Sequence, residues 1–546
     1  MAWLRLAGRG KLLCCAILLL VTFTVFLTHT RGISFPISGS RRRPSQGHEP
    51  SDWWVEFFTR LESTRVQAAP VRIEGKARAD NWKPDVDYER PDLLQLSDRD
   101  FAYFRASHEA FMEQLPLFAR HLPYEANTTG IVTTAGKGSF GQALSLTLMT
   151  RQTGSSLPIQ IVLDSSAPWI DELCTNTLPS LNATCIYTDD IWVGLESFNI
   201  KFERFQWKFI SIIASTYQNV LFLDADCLPV FKPDTIFEPG AEPFTSFGFI
   251  TWPDFWTQSA SRKFYKIAGD VEVPALQSRA TSESGVMVYD KARHADTLLL
   301  AAYYNFNGPD HFYAMFTQHG PGEGDKESFL AAAVVLDGLK RKQLYKEPTE
   351  WMKPGLGLKK GHWDIKILPR VHGRSAKGSW RGMFMQQMDP MEDYRVVMDA
   401  IEKAKKNPAK TDQGKRGDIF GRGVPRNAPS SAGSLRVEDY LTDSSFLETV
   451  GKLKMEHNHD RFMFFHHNGV KPDFTRIHDP KSGITETNEQ GTNIRMWGDP
   501  DWIINRIGRD VEKLLWKDSL DIYCRTDLVK VCEEMRRIYD VVYQPS

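Results

Sequence analysis

Between residues 130 and 226 the chain alternates short apolar runs rich in β-branched residues with longer amphipathic stretches, and few folds accommodate that rhythm. GIVTTA (130–135), IQIVLD (159–164), CIYTD (185–189) and NVLFLDADCLPV (219–230) have the composition of buried strands. The intervening segments, 136–155, 168–178 and 201–218, read as helices; in the last, Phe202, Phe205, Phe209, Ile212 and Ile213 recur at helical spacing. Neighbouring parallel strands need a crossover of about a dozen residues or more, usually helical, so this alternation predicts an α/β fold with a mostly parallel sheet. In such sheets ligands gather beyond the carboxyl ends of the strands.

One strand end carries the clearest chemistry. VLFLDADCLPV delivers Asp224 and Asp226 to the close of a buried run, one small residue apart. Residues two apart on a strand point to the same side, and two hard carboxylate oxygens on one side suit a divalent cation that keeps other positions for water and phosphate. GIVTTAGKG lacks the G-x-G-x-x-G spacing of a dinucleotide site, so a nicotinamide cofactor is not expected.

The rest of the chain bounds where this chemistry operates. Residues 12–30 carry no charge and are long enough for a membrane helix of about 20 residues. Arg5, Arg9 and Lys11 precede them, predicting a cytosolic tail at 1–11 and the remainder across the membrane. Segment 31–52 reads as a flexible stem and 53–125 as a helical neck or cover, with Leu93, Leu94, Leu96, Phe101, Phe104 and Phe111 on one face of a helical pair. Residues 126–546 form the main domain, interrupted near 403–434 by a basic Gly/Pro/Ser-rich insertion that reads as disordered, with one terminal helix at 501–516. Sequons at Asn127 and Asn182 agree with a lumenal location. Cys174 with Cys185, and Cys524 with Cys532, are the expected short-range disulfides, which leaves Cys227 over. With 67 basic against 68 acidic residues, no global basic field exists to bind nucleic acid. An aromatic content of 12% mostly fills a core but also suits sugar stacking.

VLFLDADCLPV, GIVTTAGKG, FGFITWPDFW, SESGVMVYDK and GDKESF together resemble the fungal Golgi α-mannosyltransferases of the Mnn2/Mnn5 type, which extend mannan side chains. The resemblance runs from about 130 to 388, with a looser tail near 465–472. It implies a GT-A glycosyltransferase fold, GDP-mannose as donor, manganese as cofactor and retention at the anomeric carbon. It further implies a type II protein of the Golgi membrane acting on mannose-terminated glycoprotein glycans, with other glycosyltransferases as possible complex partners. An α-1,2 linkage is expected, α-1,3 being the nearest rival and a UDP-sugar transferase the next. A non-catalytic lectin-like scaffold is the reading from another class.

On that resemblance Asp226 ligates the metal directly, and Asp224 touches the ribose or ligates through water. A third ligand comes from FMFFHHNGVKP, either His466 or His467, with Asn468 and Lys471 at the phosphates. Thr133 or Thr134 holds the guanine or ribose, and Lys137 meets a phosphate. Lys208 is a further donor contact, although a lone lysine on an amphipathic helix fits a solvated face equally well. Asp254, between Trp252 and Trp256, grips a sugar, and Glu283 binds donor hydroxyls. Asp325 stabilises an oxocarbenium-like transition state or acts as nucleophile; as the opening residue of a helix it also fits a plain cap. Cys227 beside the D-x-D, and the basic insertion, depart from the family pattern.

Overall fold

The computed structural model describes residues 50–345, 363–406 and 461–544, apart from short breaks at 83–85, 192–197, 199–200, 277–278, 323, 365–366, 375–379, 468 and 499. All of them belong to one compact unit, Ser45–Ser546. The apolar run at 12–30, Asn468 and all of the basic insertion after residue 406 lie outside the described residues. Among the described residues no helix is long and apolar enough to cross a membrane.

The strands of the main sheet are β1 (Glu125–Ala135), β2 (Ile159–Leu163), β3 (Ala183–Tyr187) and β4 (Tyr217–Leu223). Cys227–Pro229 (β5) leaves for a second sheet, and the main sheet resumes with β6 (Phe249–Pro253), β7 (Ser282–Asp290) and the short β8 (Trp363–Asp364). Their spatial order is β8-β6-β7-β4-β1-β2-β3. Strands β1 to β4 are mutually parallel, whereas β7 runs against both β4 and β6. The sheet is therefore mixed. Because β7 is reversed, its first residues reach the carboxyl end of β4, where Leu223 pairs with Val286.

Period-two alternation divides the buried side chains between two layers. Ile131, Ile161, Leu221 and Val288 face one, whereas Val132, Val162, Phe222 and Tyr289 face the other. Helices of the second layer include α1 (Pro50–Ser63), α2 (Asp98–Ala119), α4 (Trp207–Ala214) and α5 (Lys291–Phe306). On the first layer lies α3 (Phe140–Gln152). Trp53, Phe57 and Phe58 of α1 and Phe104, Phe111 and Phe118 of α2 share the second core with Ile213 and Tyr303. Burying each such ring contributes on the order of 2 kcal/mol. Ser97 caps α2 by accepting from the Asp100 amide, and Asp290 caps α5 by accepting from that of Ala292. The end of α4 is fixed by buried Lys291, whose Nζ donates to the carbonyls of Ile213 (3.0 Å) and Ser215 (2.7 Å). Residues 93–96, expected on a helix face, are extended instead, and Leu94–Gln95 pairs with Arg72–Ile73.

A further helix, α6 (Asp325–Arg341), packs on β7 and α5. The second sheet comprises β9 (Ile367–Arg374), β10 (Trp380–Met388), β11 (Phe462–His466) and β5, all antiparallel, in the order β9-β10-β11-β5. Its register sets His466 opposite Cys227. Residues 403–406, assigned by sequence to the insertion, close the helix α7 (Pro390–Lys406). The single terminal helix expected at 501–516 is divided: Pro500–Ile507 stops at Gly508, whose φ of 84° is left-handed, and α8 (Val511–Tyr523) restarts with Asp510 as cap. A last helix, α9 (Val529–Tyr543), follows. Both expected disulfides form, Cys174–Cys185 and Cys524–Cys532, and Cys227 is free and buried.

Candidate active site

Strand β4 ends at Leu223, one residue before the first aspartate. The Asp224 amide donates to the Gly285 carbonyl at 2.7 Å, and the Cys227 amide closes a turn onto the Asp224 carbonyl at 2.8 Å. The D-x-D is thus a turn between two sheets. Strand alternation, which predicted both carboxylates on one side, does not apply there, and the two acids meet different partners.

Asp224 faces α4. Lys208, buried on that helix, places Nζ 2.9 Å from Asp224 Oδ2 and 3.0 Å from Asp325 Oδ2, and donates to Ser284 Oγ at 2.9 Å. Ser284 in turn donates to Asp325 Oδ2 at 2.9 Å. Burial works against the Lys208 ammonium, but Asp224, Asp325 and Glu283 outweigh it and raise its pKa. Lys208 is not on a solvated face, the alternative to a donor contact: it is buried and bridges the first aspartate of the D-x-D to the head of α6. Asp325 opens that helix, is 2% exposed, and has the partial positive charge of the helix start at hand.

Asp226 faces the second sheet. Its Oδ2 contacts the Lys471 ammonium, which also donates to the His467 carbonyl. Its Oδ1 lies 3.8 Å from His466 Nε2. Across the imidazole, His466 Nδ1 is 3.9 Å from Glu283 Oε2 and is buried without a hydrogen-bond partner. Glu283 is oriented by the amides of Ser284 and Gly285, each donating to Oε1 at 2.9 Å. Of the two adjacent histidines, only His466 is turned to this cluster. His467 packs its ring on Trp497 with centroids 5.2 Å apart, and burial, helped by His466, lowers its pKa to about 3. Its amide donates to the Asp226 carbonyl at 3.0 Å. Asp226, Cys227 and His466 offer ligand atoms within 4.8 Å of one another. The cluster holds four carboxylates, Asp224, Asp226, Glu283 and Asp325, against two ammonium groups, those of Lys208 and Lys471.

The remaining candidates are more dispersed. Thr133 and Thr134 lie at the end of β1, which the Val132–Phe222 register sets beside the D-x-D turn; Thr133 Oγ1 is buried and unpaired. Lys137 is exposed on the following turn, its amide donating to Ser165 Oγ at 3.0 Å. That turn is tight: a Cβ on Gly136 would come within 1.8 Å of Asp164 Oδ1. Asp254 pairs with Lys326 and caps the Phe255 amide at 2.7 Å. Trp252 and Trp256 do not form a pair of sugar platforms. Trp252 is enclosed between the sheets, donating from Nε1 to the Met388 carbonyl at 3.0 Å, and only Trp256 is partly exposed.

Two site features escaped the sequence. Ser284 sits inside a quoted motif, but nothing in its spacing marks it as the hydroxyl joining Lys208 to Asp325. Buried Arg279 meets Glu327 at 3.0 Å, and Glu327 also accepts from the Ser282 amide at 2.6 Å. This ties α6 to the start of β7; Arg279 stands in no motif.

Comparison with known proteins places these motifs. Residues 128–278 and 275–354 match the family model described as "Mannosyltransferase putative". The chain is 33% identical over 348 residues to the alpha-1,2-mannosyltransferase MNN21 of Candida albicans, covering 56% of this chain and 49% of that one. It is 29% identical over 343 residues to the alpha-1,2-mannosyltransferase MNN2 of Saccharomyces cerevisiae, covering 57% and 53%. The chain thus spans about half the length of these curated relatives. Among solved structures, the glycosyltransferase GlyE of Streptococcus pneumoniae is 14% identical over 41% of this chain and 46% of its own, with a TM-score of 0.25, too remote to bear on the fold. The resemblance carried by the five motifs holds: the chain is similar to α-1,2-mannosyltransferases of the Mnn2/Mnn5 type. The matched segments include the D-x-D and Asp325, whereas His466 and Lys471 lie beyond them.

Proposed function

We propose that this chain is a metal-dependent glycosyltransferase of GT-A type that moves mannose from GDP-mannose to a terminal mannose of a glycoprotein glycan, with retention and in α-1,2 linkage. The observation that carries this reading is the carboxylate cluster at the carboxyl end of β4, with Asp224 bridged through Lys208 to Asp325 and Asp226 beside His466, in a relative of mannosyltransferases. A divalent cation such as manganese fits the donor set. Asp226 and His466 would hold it, with Asp224 through water, and the unpaired Nδ1 shows that the imidazole is not consumed by internal bonding. Such an ion supplies Lewis-acid neutralisation of a departing nucleoside diphosphate.

The chain's own groups do the rest. Lys471, at the edge of the cluster and a third exposed, has an ammonium within reach of a diphosphate oxygen. Lys208 sets a positive charge beside Asp325 in a buried site, where a carboxylate best stabilises positive charge developing at an anomeric carbon. Ser284 fixes which oxygen of Asp325 is tied up, leaving Oδ1 for the sugar. Two disulfides support a compartment outside the reducing cytosol, consistent with a type II Golgi protein whose catalytic domain is lumenal.

The test incubates the full chain with GDP-mannose, manganese and α-mannobiose beside an Asp226→Ala control, then digests products with linkage-specific mannosidases. Mannose transfer that disappears in the variant, with product cleaved by the α-1,2 enzyme, is the expected result. Folded protein that binds neither manganese nor GDP-mannose would sink the reading and leave a non-catalytic role.

A further inference from the structure

Cys227 occupies an unusual place for a buried thiol. It follows Asp226 directly, and β5 pairs with β11 so that Cys227 stands opposite His466. Directly opposed residues in an antiparallel pair project to the same face. Sγ accordingly lies 4.0 Å from Asp226 Oδ1, the oxygen that Lys471 leaves clear, rather than among apolar side chains alone. Gly285 closes over the pair. A Cβ there would stand 2.9 Å from Cys227 Sγ, 2.8 Å from His466 Cε1 and 3.2 Å from His466 Nδ1, so the missing side chain leaves open a point on which sulfur and imidazole converge.

A second observation is independent of the thiol. His466 is 8% exposed, and its Nδ1, on the imidazole edge that borders this point, has no hydrogen-bond partner. Unpaired buried polar nitrogens are costly and uncommon. The nearest acid, Glu283 Oε2 at 3.9 Å, is too distant for a hydrogen bond. A ligand that takes up the imidazole lone pair removes that cost.

We infer that Asp226, Cys227 and His466 form a thiophilic cation site, selective for ions such as Zn2+, Cd2+ or Co2+ over Mn2+, within the centre proposed for the donor's metal. One sulfur, one nitrogen and one carboxylate oxygen, with a position open, make the donor set of a tetrahedral zinc-type site, whereas manganese favours oxygen ligands and ranks lowest in the divalent series. Binding replaces the S–H bond by a metal–sulfur bond and releases the proton to solvent. Because Asp226 and His466 serve both ions, the soft cation excludes manganese and stops transfer. This inference rests on the proposed metal-dependent function only in that last consequence; the site itself is read from the three side chains.

The experiment titrates the full chain with Cd2+ and, separately, Mn2+ by equilibrium dialysis, and with Co2+ by near-ultraviolet absorption. The wild-type chain and the Cys227→Ser and Gly285→Ala variants are compared, each checked for native near-ultraviolet dichroism. Wild type should show a thiolate-to-cobalt charge-transfer band that Cys227→Ser abolishes. Cd2+ affinity should fall by about tenfold or more in that variant, roughly the worth of one good ligand, while Mn2+ affinity stays within about threefold. Gly285→Ala, which fills the convergence point and presses on both Sγ and the imidazole, should weaken Cd2+ while the thiol itself is retained. A folded wild type with no charge-transfer band, or Cd2+ affinity unchanged by Cys227→Ser, overturns the inference even if Mn2+ binds normally. Absent Mn2+ binding beside intact Cys227-dependent Cd2+ binding would instead count against the manganese reading and leave this one standing.

Discussion

Lys208 is the residue on which the proposed centre turns. It is 8% exposed and its one charge is shared between Asp224 and Asp325. Removing one partner of a buried ionic group leaves uncompensated charge and typically costs about 3–5 kcal/mol. Lys208→Met is therefore expected to destabilise the chain by that order in urea unfolding. It should reduce the proposed mannose transfer by at least about 100-fold, because Asp224 and Asp325 lose the cation that holds them in place. Transfer that survives in folded Lys208→Met protein would exclude the bridge from the mechanism. A second residue sets an acid limit far from the site. Burial lowers the pKa of His108 from 6.5 to about 3, and its Nε2 pairs with Tyr304 Oη at 2.9 Å. Between those two values the unfolded chain binds a proton that the folded chain does not, so stability rises with pH and is lost on acidification from 6.5 towards 3. The slope from this one group is up to about 1.4 kcal/mol per pH unit. Urea midpoints measured at pH 4 to 7 should be less steep in pH for His108→Phe, even though that variant is less stable throughout; an unchanged slope would mean His108 charges in the fold.

At the scale of elements, the sequence was informative wherever periodicity decides structure and silent wherever tertiary partners do. Strands β1, β2 and β4 were legible because central strands carry continuous apolar runs, and IQIVL is buried at every position. The D-x-D was legible as a pair, but spacing does not reveal that β4 stops at Leu223, because the turn is fixed by the carbonyl of Gly285, 61 residues later in the chain than Asp224. Trp252 read as part of a sugar grip because Asp254 stands between it and Trp256, yet its pairing opposite Glu283 and its bond to the Met388 carbonyl put the indole between the sheets. The choice between His466 and His467 was hidden for the same reason: strand alternation sends adjacent residues to opposite faces, and only the pairing with β5 shows which face carries the site. One element-level link was legible outright. The Cys524–Cys532 bond joins the end of α8 to α9. Closing so short a loop is worth about 2 kcal/mol, so Cys524→Ser with Cys532→Ser should lower the thermal midpoint. Reductant should then have no further effect that traces to this pair, while an unshifted midpoint would show that the buried face of α9 and the Tyr543–Glu512 hydrogen bond hold it without the disulfide.

For the molecule as a whole, the question is whether the segment before β1 is an accessory or part of the fold. The sequence presented it as a helical neck or cover, because its apolar spacing shows that a face is buried but not against what. Trp53, Phe57, Phe58, Phe104, Phe111 and Phe118 lie in the same core as Ile213, Val220, Phe222 and Tyr303. Individual contacts cross that boundary: the Phe111 and Tyr303 rings stack at 4.5 Å, the Val66 amide donates to Asn307 Oδ1 at 3.1 Å, and Arg90 donates to the carbonyls of Ala260 and Pro274. A core is close-packed, and replacing one buried Phe by Ala within it costs about 3–5 kcal/mol; deleting six large aromatics from the same layer exceeds the whole stability of an ordinary domain, about 5–15 kcal/mol. A chain starting at residue 125 is accordingly expected to lose cooperative thermal unfolding and to aggregate. Phe111→Ala in the full chain should be folded but several kcal/mol weaker, with the proposed manganese binding unaffected. If the shortened chain instead unfolds cooperatively and transfers mannose, α1 and α2 are a detachable cover and the α/β unit is complete without them. The same comparison fixes which fragment can serve for studying the site, because Lys208 sits on α4, and α4 is clamped between the sheet and the aromatic layer that α1 and α2 complete.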